Sequence, residues 1–222
     1  VQTGLATVRE RVRAAGGDPD GITIVAVTKR FGPEAVRAAV ANGIVDIGEN
    51  YAAELIEKAA ALASDEVPGS TRPRWHYLGS IQRRKVRDLA PAVDVWQGLS
   101  RAVEAEAIAG RAPGATVLVE VDTTGIEGRS GVPPAAVPDL VATARGHGLD
   151  VAGLMTIGPP EGGQAALAAF RAVATLADDL SLPVRSMGMT GDIEQAVLAG
   201  TTMIRVGEAL FGPRTPSPHL AQ

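Results

Sequence analysis

The 222-residue sequence predicts a single (β/α)8 barrel. Short β-rich runs alternate along the chain with alanine-rich amphipathic stretches, and there are eight such runs. Several are continuously apolar (ITIVAV, TVLVEV), as parallel strands covered on both faces require. An open doubly wound sheet shares the alternation. However, the first run continues as VAVTKRFGPE, without the glycine fingerprint of a dinucleotide-binding turn, and a count of eight favours closure.

In chain order, a helix from Leu5 to Ala15 precedes the first strand, Ile22–Thr28. Gly32-Pro33 opens the next helix, with proline where a missing N–H costs nothing; Val36, Ala39 and Val40 form its inner face and Gly43 closes it. The following strands are Val45–Gly48, Trp75–Leu78, Val93–Gln97 and Thr116–Val121, the first two of these being the weakest by length. Val151–Met155 is the sixth. Leu167, Phe170, Val173, Ala177 and Leu180 then hold helical spacing between Ala165 and Leu180. After Val184–Met187, Thr190 is placed to cap a helix carrying Ile193, Ala196 and Val197 that ends at Gly200, and Met203–Val206 is the eighth strand. Residues 1–212 thus read as one barrel domain, and 213–222 (PRTPSPHLAQ) as a proline-rich flexible tail.

Composition narrows the function. Apolar residues make up 45% of the chain and aromatics 3%, so the core is aliphatic. A formal charge of −4 gives no reason to expect nucleic acid or an anionic membrane as partner. The absence of cysteine removes thiolate chemistry and fits a reducing cytoplasm. No apolar run reaches membrane-spanning length, and the charged, helix-periodic N-terminus is read as no signal peptide. His76, His147 and His219 are too scattered to suggest a metal site.

Barrel active sites sit at the C-terminal strand ends, and phosphates often bind after strands seven and eight. Lys29 directly follows the run ITIVAVT at the end of strand one. Either it starts an exposed loop or it points into the barrel mouth, where burial and a neighbouring cation would make its amine nucleophilic toward an aldehyde. Ser186, Gly188 and Gly207 leave little bulk after strands seven and eight. They serve tight turns or let backbone N–H groups approach an anion. Arg205, between Ile204 and Val206, needs a partner: an ion pair at the rim or a ligand nitrogen. Asn50 either caps the helix after strand two or reaches the site. His76 reads as a hydrogen-bonded core histidine, with Trp75 and Tyr77 as wall residues.

Taken together, VAVTK, GENY, HYLGSIQRRK, GLMTIG and SMGMTGDIEQAVLAGTTMIRVGEALFG resemble, in order and spacing, the pyridoxal phosphate (PLP) homeostasis protein family, also called proline synthase co-transcribed homologue. The resemblance runs from about Ile22 to Gly212, and its last motif is long and specific. It implies a barrel like the alanine racemase N-terminal domain, PLP fold type III. By motif match, Lys29 would hold PLP as a Schiff base with Asn50 beside it. Ser186, Gly207 and the backbone of Glu208 would hold the phosphate, Arg205 would face the pyridine nitrogen, and His76, Met187 and Met189 would line the pocket. Three positions depart from the family: Arg84 stands where asparagine is frequent, Thr190 where serine is common, and Glu208 where threonine is usual.

A guanidinium at the ring nitrogen keeps that nitrogen unprotonated and weakens the ring as an electron sink. Racemases on this scaffold use a second base, a tyrosine supported by an added β domain; here only Tyr51 and Tyr77 exist, both early in the chain. The expectation is a monomeric carrier that buffers PLP or delivers it to apoenzymes and affects amino-acid balance indirectly. The competing readings are an active racemase-like PLP enzyme and a Schiff-base aldolase acting on a sugar phosphate.

Overall fold

The computed structural model describes residues 1–63 and 72–212; the expected tail, 213–222, lies outside them. Helix α1 (Gln2–Ala14) precedes β1 (Thr23–Val27). Then follow α2 (Pro33–Ala41), β2 (Asp46–Glu49), α3 (Ala52–Ala63), β3 (Arg74–Tyr77), α4 (Arg83–Leu89), β4 (Val95–Leu99), α5 (Ala102–Ala109) and β5 (Thr116–Val121). The second half comprises α6 (Val137–Gly146), β6 (Asp150–Thr156), α7 (Gly163–Asp179), β7 (Val184–Ser186), α8 (Ile193–Leu198), β8 (Met203–Val206) and α9 (Glu208–Phe211). The eight strands are parallel to their neighbours and close in sequence order, β8 pairing back onto β1. This is the (β/α)8 barrel with the extra N-terminal helix.

The strand period of two divides the side chains between two compartments. Val25, Val95, Leu118, Met155 and Met203 form a small apolar cluster inside the barrel. Their neighbours Ala26, Trp96, Val117, Val119, Leu154 and Ile204 face outward into the much larger core shared with the helices. From α7, Phe170 and Val173 reach that outer core, and from α3, Leu55 does. A register shift between Trp96 and Leu99 lets Gln97 lie inside the polar interior while Leu99 joins the outer core.

Two local expectations are corrected. Thr190 does not cap α8. Asp192 occupies the N-cap position and turns its carboxylate back to accept the Met189 N–H at 2.6 Å, while the Thr190 hydroxyl accepts the Ala209 N–H at 3.3 Å. Met187 is not the end of β7; the ladder stops at Ser186. Pro33 does stand in the first turn of α2, and Gly43, at φ 81°, follows the Asn42 cap in the left-handed region that glycine tolerates.

Candidate functional site at the C-terminal mouth of the barrel

The C-terminal strand ends converge on a cavity of about 250 Å³. Val27 and Lys29 enter it from β1, Asn50 from β2, Leu78 from β3, Met155 and Ile157 from β6, Met189 to Gly191 after β7, and Arg205, Gly207 and Glu208 from β8. Of the nine residues expected at the site, Lys29, Asn50, Met189, Arg205, Gly207 and Glu208 are brought together here.

Lys29 follows Thr28, whose N–H donates to the Gly48 carbonyl as the β1 ladder ends. The chain then turns sharply: Phe31 N–H donates to the Thr28 carbonyl, and Arg30 takes the left-handed conformation at φ 65° with its N–H on Glu54. Behind the two strand ends sits a buried cluster. Lys58 Nζ donates to the Thr28 carbonyl at 2.8 Å and to Glu49 Oε1 at 2.6 Å, and the Thr28 hydroxyl donates to the same carboxylate oxygen at 2.6 Å. Burial pushes the Glu49 carboxyl up despite the Lys58 and Thr28 hydrogen bonds. Asn50 makes no capping hydrogen bond among the described residues; its backbone is pressed so closely against Gly79 that a Cβ there would stand 2.1 Å from the Asn50 carbonyl oxygen. Gly79 is therefore required to be glycine for Asn50 to sit where it does.

Arg205 is 5% exposed and forms no ion pair among the described residues. Nη1 donates to the Ser186 carbonyl at 2.7 Å and to the Ser186 hydroxyl at 2.8 Å, and Nη2 to the Thr156 carbonyl at 2.8 Å. Three of its five N–H groups are thus committed, and the guanidinium lines the cavity. Burial pushes its pKa down to about 10, against the opposing attraction of Glu120 and Asp192, so it stays protonated at neutral pH.

The other three expected residues lie elsewhere. Ser186 is fully buried beneath Arg205, and its hydroxyl donates to Gln97 Oε1 at 2.7 Å instead of reaching the cavity. His76 is fully buried within the barrel between Asp46 and Gln97. Met187 does not line the cavity: with Ser186 facing inward, the strand period turns it into the outer core. Gly188 is also absent from the lining. Its φ is 98°, and a Cβ added there would stand 2.5 Å from Ala196 Cβ. It therefore allows a tight turn against α8 rather than an anion's approach.

A second cavity, about 230 Å³, shares Asn50, Leu78 and Ile157 with the first and adds Glu120, Asp122, Arg129 and Ser130. In the sequence Glu120 reads as part of an apolar run. The signal that singles out Arg205, a charge flanked by aliphatic residues on a strand, applies equally to Glu120 in VLVEV. Burial raises its carboxyl to about 7, with Arg205 opposing and Glu104 and Asp122 reinforcing the rise. Among the described residues no group of three or more histidine, cysteine, aspartate or glutamate side chains could hold a metal ion.

This barrel has relatives of a defined class. The chain belongs to the alanine racemase N-terminal domain family, whose model matches residues 5–215. The solved alanine racemase of Clostridium difficile 630 shares this fold at 15% identity (TM-score 0.72), covering 97% of this chain and 57% of its own.

Closer relatives carry a more particular name, pyridoxal phosphate homeostasis protein. That of Pseudomonas aeruginosa is 36% identical over 217 residues, covering 94% of this chain and 92% of its own, and that of Escherichia coli K12 is 32% identical over 225 residues, covering 95% of each. PipY of Synechococcus elongatus, solved with PLP bound, is 30% identical with a TM-score of 0.76 and covers 92% of this chain and 100% of its own.

Proposed function

We propose that the chain binds PLP in the cavity at the C-terminal mouth, held through Lys29, and serves to buffer the cofactor or deliver it to apoenzymes. One observation carries the reading: an amine, a buried guanidinium, a carboxamide and a glycine backbone from β1, β8, β2 and the β8–α9 junction line the same cavity. The donor set suits the group. PLP supplies an aldehyde that condenses reversibly with an amine, and it offers a phosphate and a ring nitrogen that both accept hydrogen bonds.

Each residue then has a distinct task. Lys29 provides the amine, held at the mouth by the clamp that Lys58 and Glu49 place on the preceding residue. Asn50 stands beside the cavity on the adjacent strand end. Arg205 can only donate, so it holds the ring nitrogen as an acceptor and withholds the proton on which amino-acid chemistry depends. That favours keeping the cofactor over turning substrate over. Gly207 and the residue-208 N–H lie at the start of α9 and serve the phosphate, a role that requires the carboxylate of the exposed Glu208 to turn away from it. Ser186 and His76 support the site from beneath. The same reading has the protein acting as a cytoplasmic monomer.

The test is optical. Adding PLP to the purified chain is expected to produce a visible absorption band that borohydride removes, and Lys29→Ala is expected to abolish the band while leaving the fold intact. An unchanged band in a folded Lys29→Ala protein overturns the reading.

A further inference from the structure

Beneath the cavity a chain of hydrogen bonds runs along the inside of the barrel. Arg205 Nη1 donates to Ser186 Oγ at 2.8 Å, and Ser186 Oγ donates to Gln97 Oε1 at 2.7 Å. Gln97 Nε2 lies 2.7 Å from His76 Nδ1, and His76 Nε2 lies 2.7 Å from Asp46 Oδ1. The chain crosses from β8 through β7, β4 and β3 to β2. His76, Gln97 and Ser186 are fully buried, and Asp46, Gln97 and His76 do not touch the cavity.

The partners fix where the protons lie. Burial alone would raise the Asp46 carboxyl, but hydrogen bonds from His76 and Arg74 hold it below the ordinary value, so it is ionised at neutral pH and can only accept. His76 Nε2 must then donate. In a neutral imidazole Nδ1 is left as the acceptor, so Gln97 Nε2 donates to it. The other Gln97 amide hydrogen meets Met203 Sδ at 3.2 Å, and a flipped amide would set a carbonyl oxygen against that thioether. Gln97 Oε1 is thereby left to accept from Ser186, whose oxygen accepts from Arg205. Every N–H and O–H in the chain points one way, from the guanidinium toward the carboxylate. Stability gives no reason for such a column, since well-packed apolar side chains would fill the barrel at least as well.

We infer that His76 and Gln97 are positioning residues, which orient the Ser186 hydroxyl and through it the Arg205 guanidinium, with Asp46 setting the direction of the whole column. This rests on the proposed PLP site for its effect on the cofactor, but not for its effect on the free protein.

Both levels can be measured. In the ligand-free chain, nitrogen NMR is expected to show His76 as the neutral tautomer protonated at Nε2, and the Arg205 guanidinium hydrogens are expected to exchange slowly. Gln97→Leu should speed that exchange about tenfold or more, the counterpart of one lost hydrogen bond. His76→Leu should do the same, whereas His76→Gln, which offers one acceptor and one donor, should restore slow exchange. With PLP added, Gln97→Leu should shift the absorption maximum and the pyridine nitrogen resonance while leaving the yield of borohydride-trapped Lys29 unchanged. If Gln97→Leu does not fold, Gln97→Met replaces it: it has neither an amide hydrogen for Nδ1 nor an amide oxygen for Ser186, and the same rise in Arg205 exchange is expected.

An Nδ1-protonated His76 in the wild type overturns the inference. So does a folded Gln97 variant with unaltered Arg205 exchange and unaltered cofactor signals. A wild type that gives no band with PLP refutes the functional reading instead, and the tautomer and exchange rates of the free protein still decide whether the column positions Arg205.

Discussion

The shell between strands and helices and the column enclosed by the strands are drawn from the same eight segments, one residue out of step, and different forces hold them. In the shell, Ala26, Ile47, Trp96, Val119, Leu154 and Ile204 meet helix side chains such as Phe170 and Leu55, and contacts are non-directional. In the column, five buried apolar residues cluster among the described residues, and His76, Gln97, Ser186 and Arg205 depend on one another's donors and acceptors. The shell tolerates exchange of one aliphatic residue for another of like volume. The column does not tolerate loss of one partner, because the next group is left buried and unsatisfied.

The contrast can be broken or sharpened by substitution. The largest stability loss is expected in the shell: Phe170→Ala, at a fully buried ring, should cost roughly 3–5 kcal/mol in denaturant unfolding. A loss under about 1 kcal/mol would show that α7 repacks and that the shell is looser than its burial implies. Lys58 and Glu49 are the shell's exception, an ion pair with side chains 4% and 0% exposed and with Glu49 Oε2 lacking any partner among the described residues. Lys58→Met should therefore cost about 3 kcal/mol, and adding Glu49→Leu should recover most of it, by the same measurement.

A smaller, pH-dependent effect is expected at Glu120. Its carboxyl titrates near 7 in the folded chain, against an ordinary value of 4.5. Between those limits the folded state keeps a proton that the unfolded state has lost, so stability falls as pH rises and remains reduced above 7. Glu120→Gln should remove that fall and leave the protein more stable than wild type at pH 8, by on the order of 2 kcal/mol. Equal unfolding profiles from pH 4 to 8 would show that Glu120 is solvated through the second cavity. The smallest effect belongs to the exposed Arg72–Asp94 pair, at 2.9 Å: Arg72→Ala should change stability by less than ~1 kcal/mol.

The same division explains what is legible in the sequence. Strands Thr116–Val121 and Met203–Val206 stand where their apolar runs place them, because covered parallel strands write burial directly into composition. Lys29, Asn50, Met189, Arg205, Gly207 and Glu208, expected from the strand ends together with the family's motifs, line one cavity. Met187 is misplaced for want of the strand's phase, which depends on Ser186 facing inward. Gln97 and Asp46 are invisible as partners of His76: their hydrogen bonds join residues 21 and 30 positions apart, and no local pattern marks such a pairing. Glu120 passes as one letter in an apolar run because its role depends on which cavity the run borders.

Helix α1 precedes the first strand, yet Arg11 reaches from it to donate to the Thr190 carbonyl at 2.7 Å and to grip Glu194 through two further nitrogens. Thr190 is part of the cavity wall. Helix α1 therefore works as an outrigger for a loop nearly two hundred residues away, and a substitution that removes the Arg11 guanidinium unties the very wall that shapes the pocket.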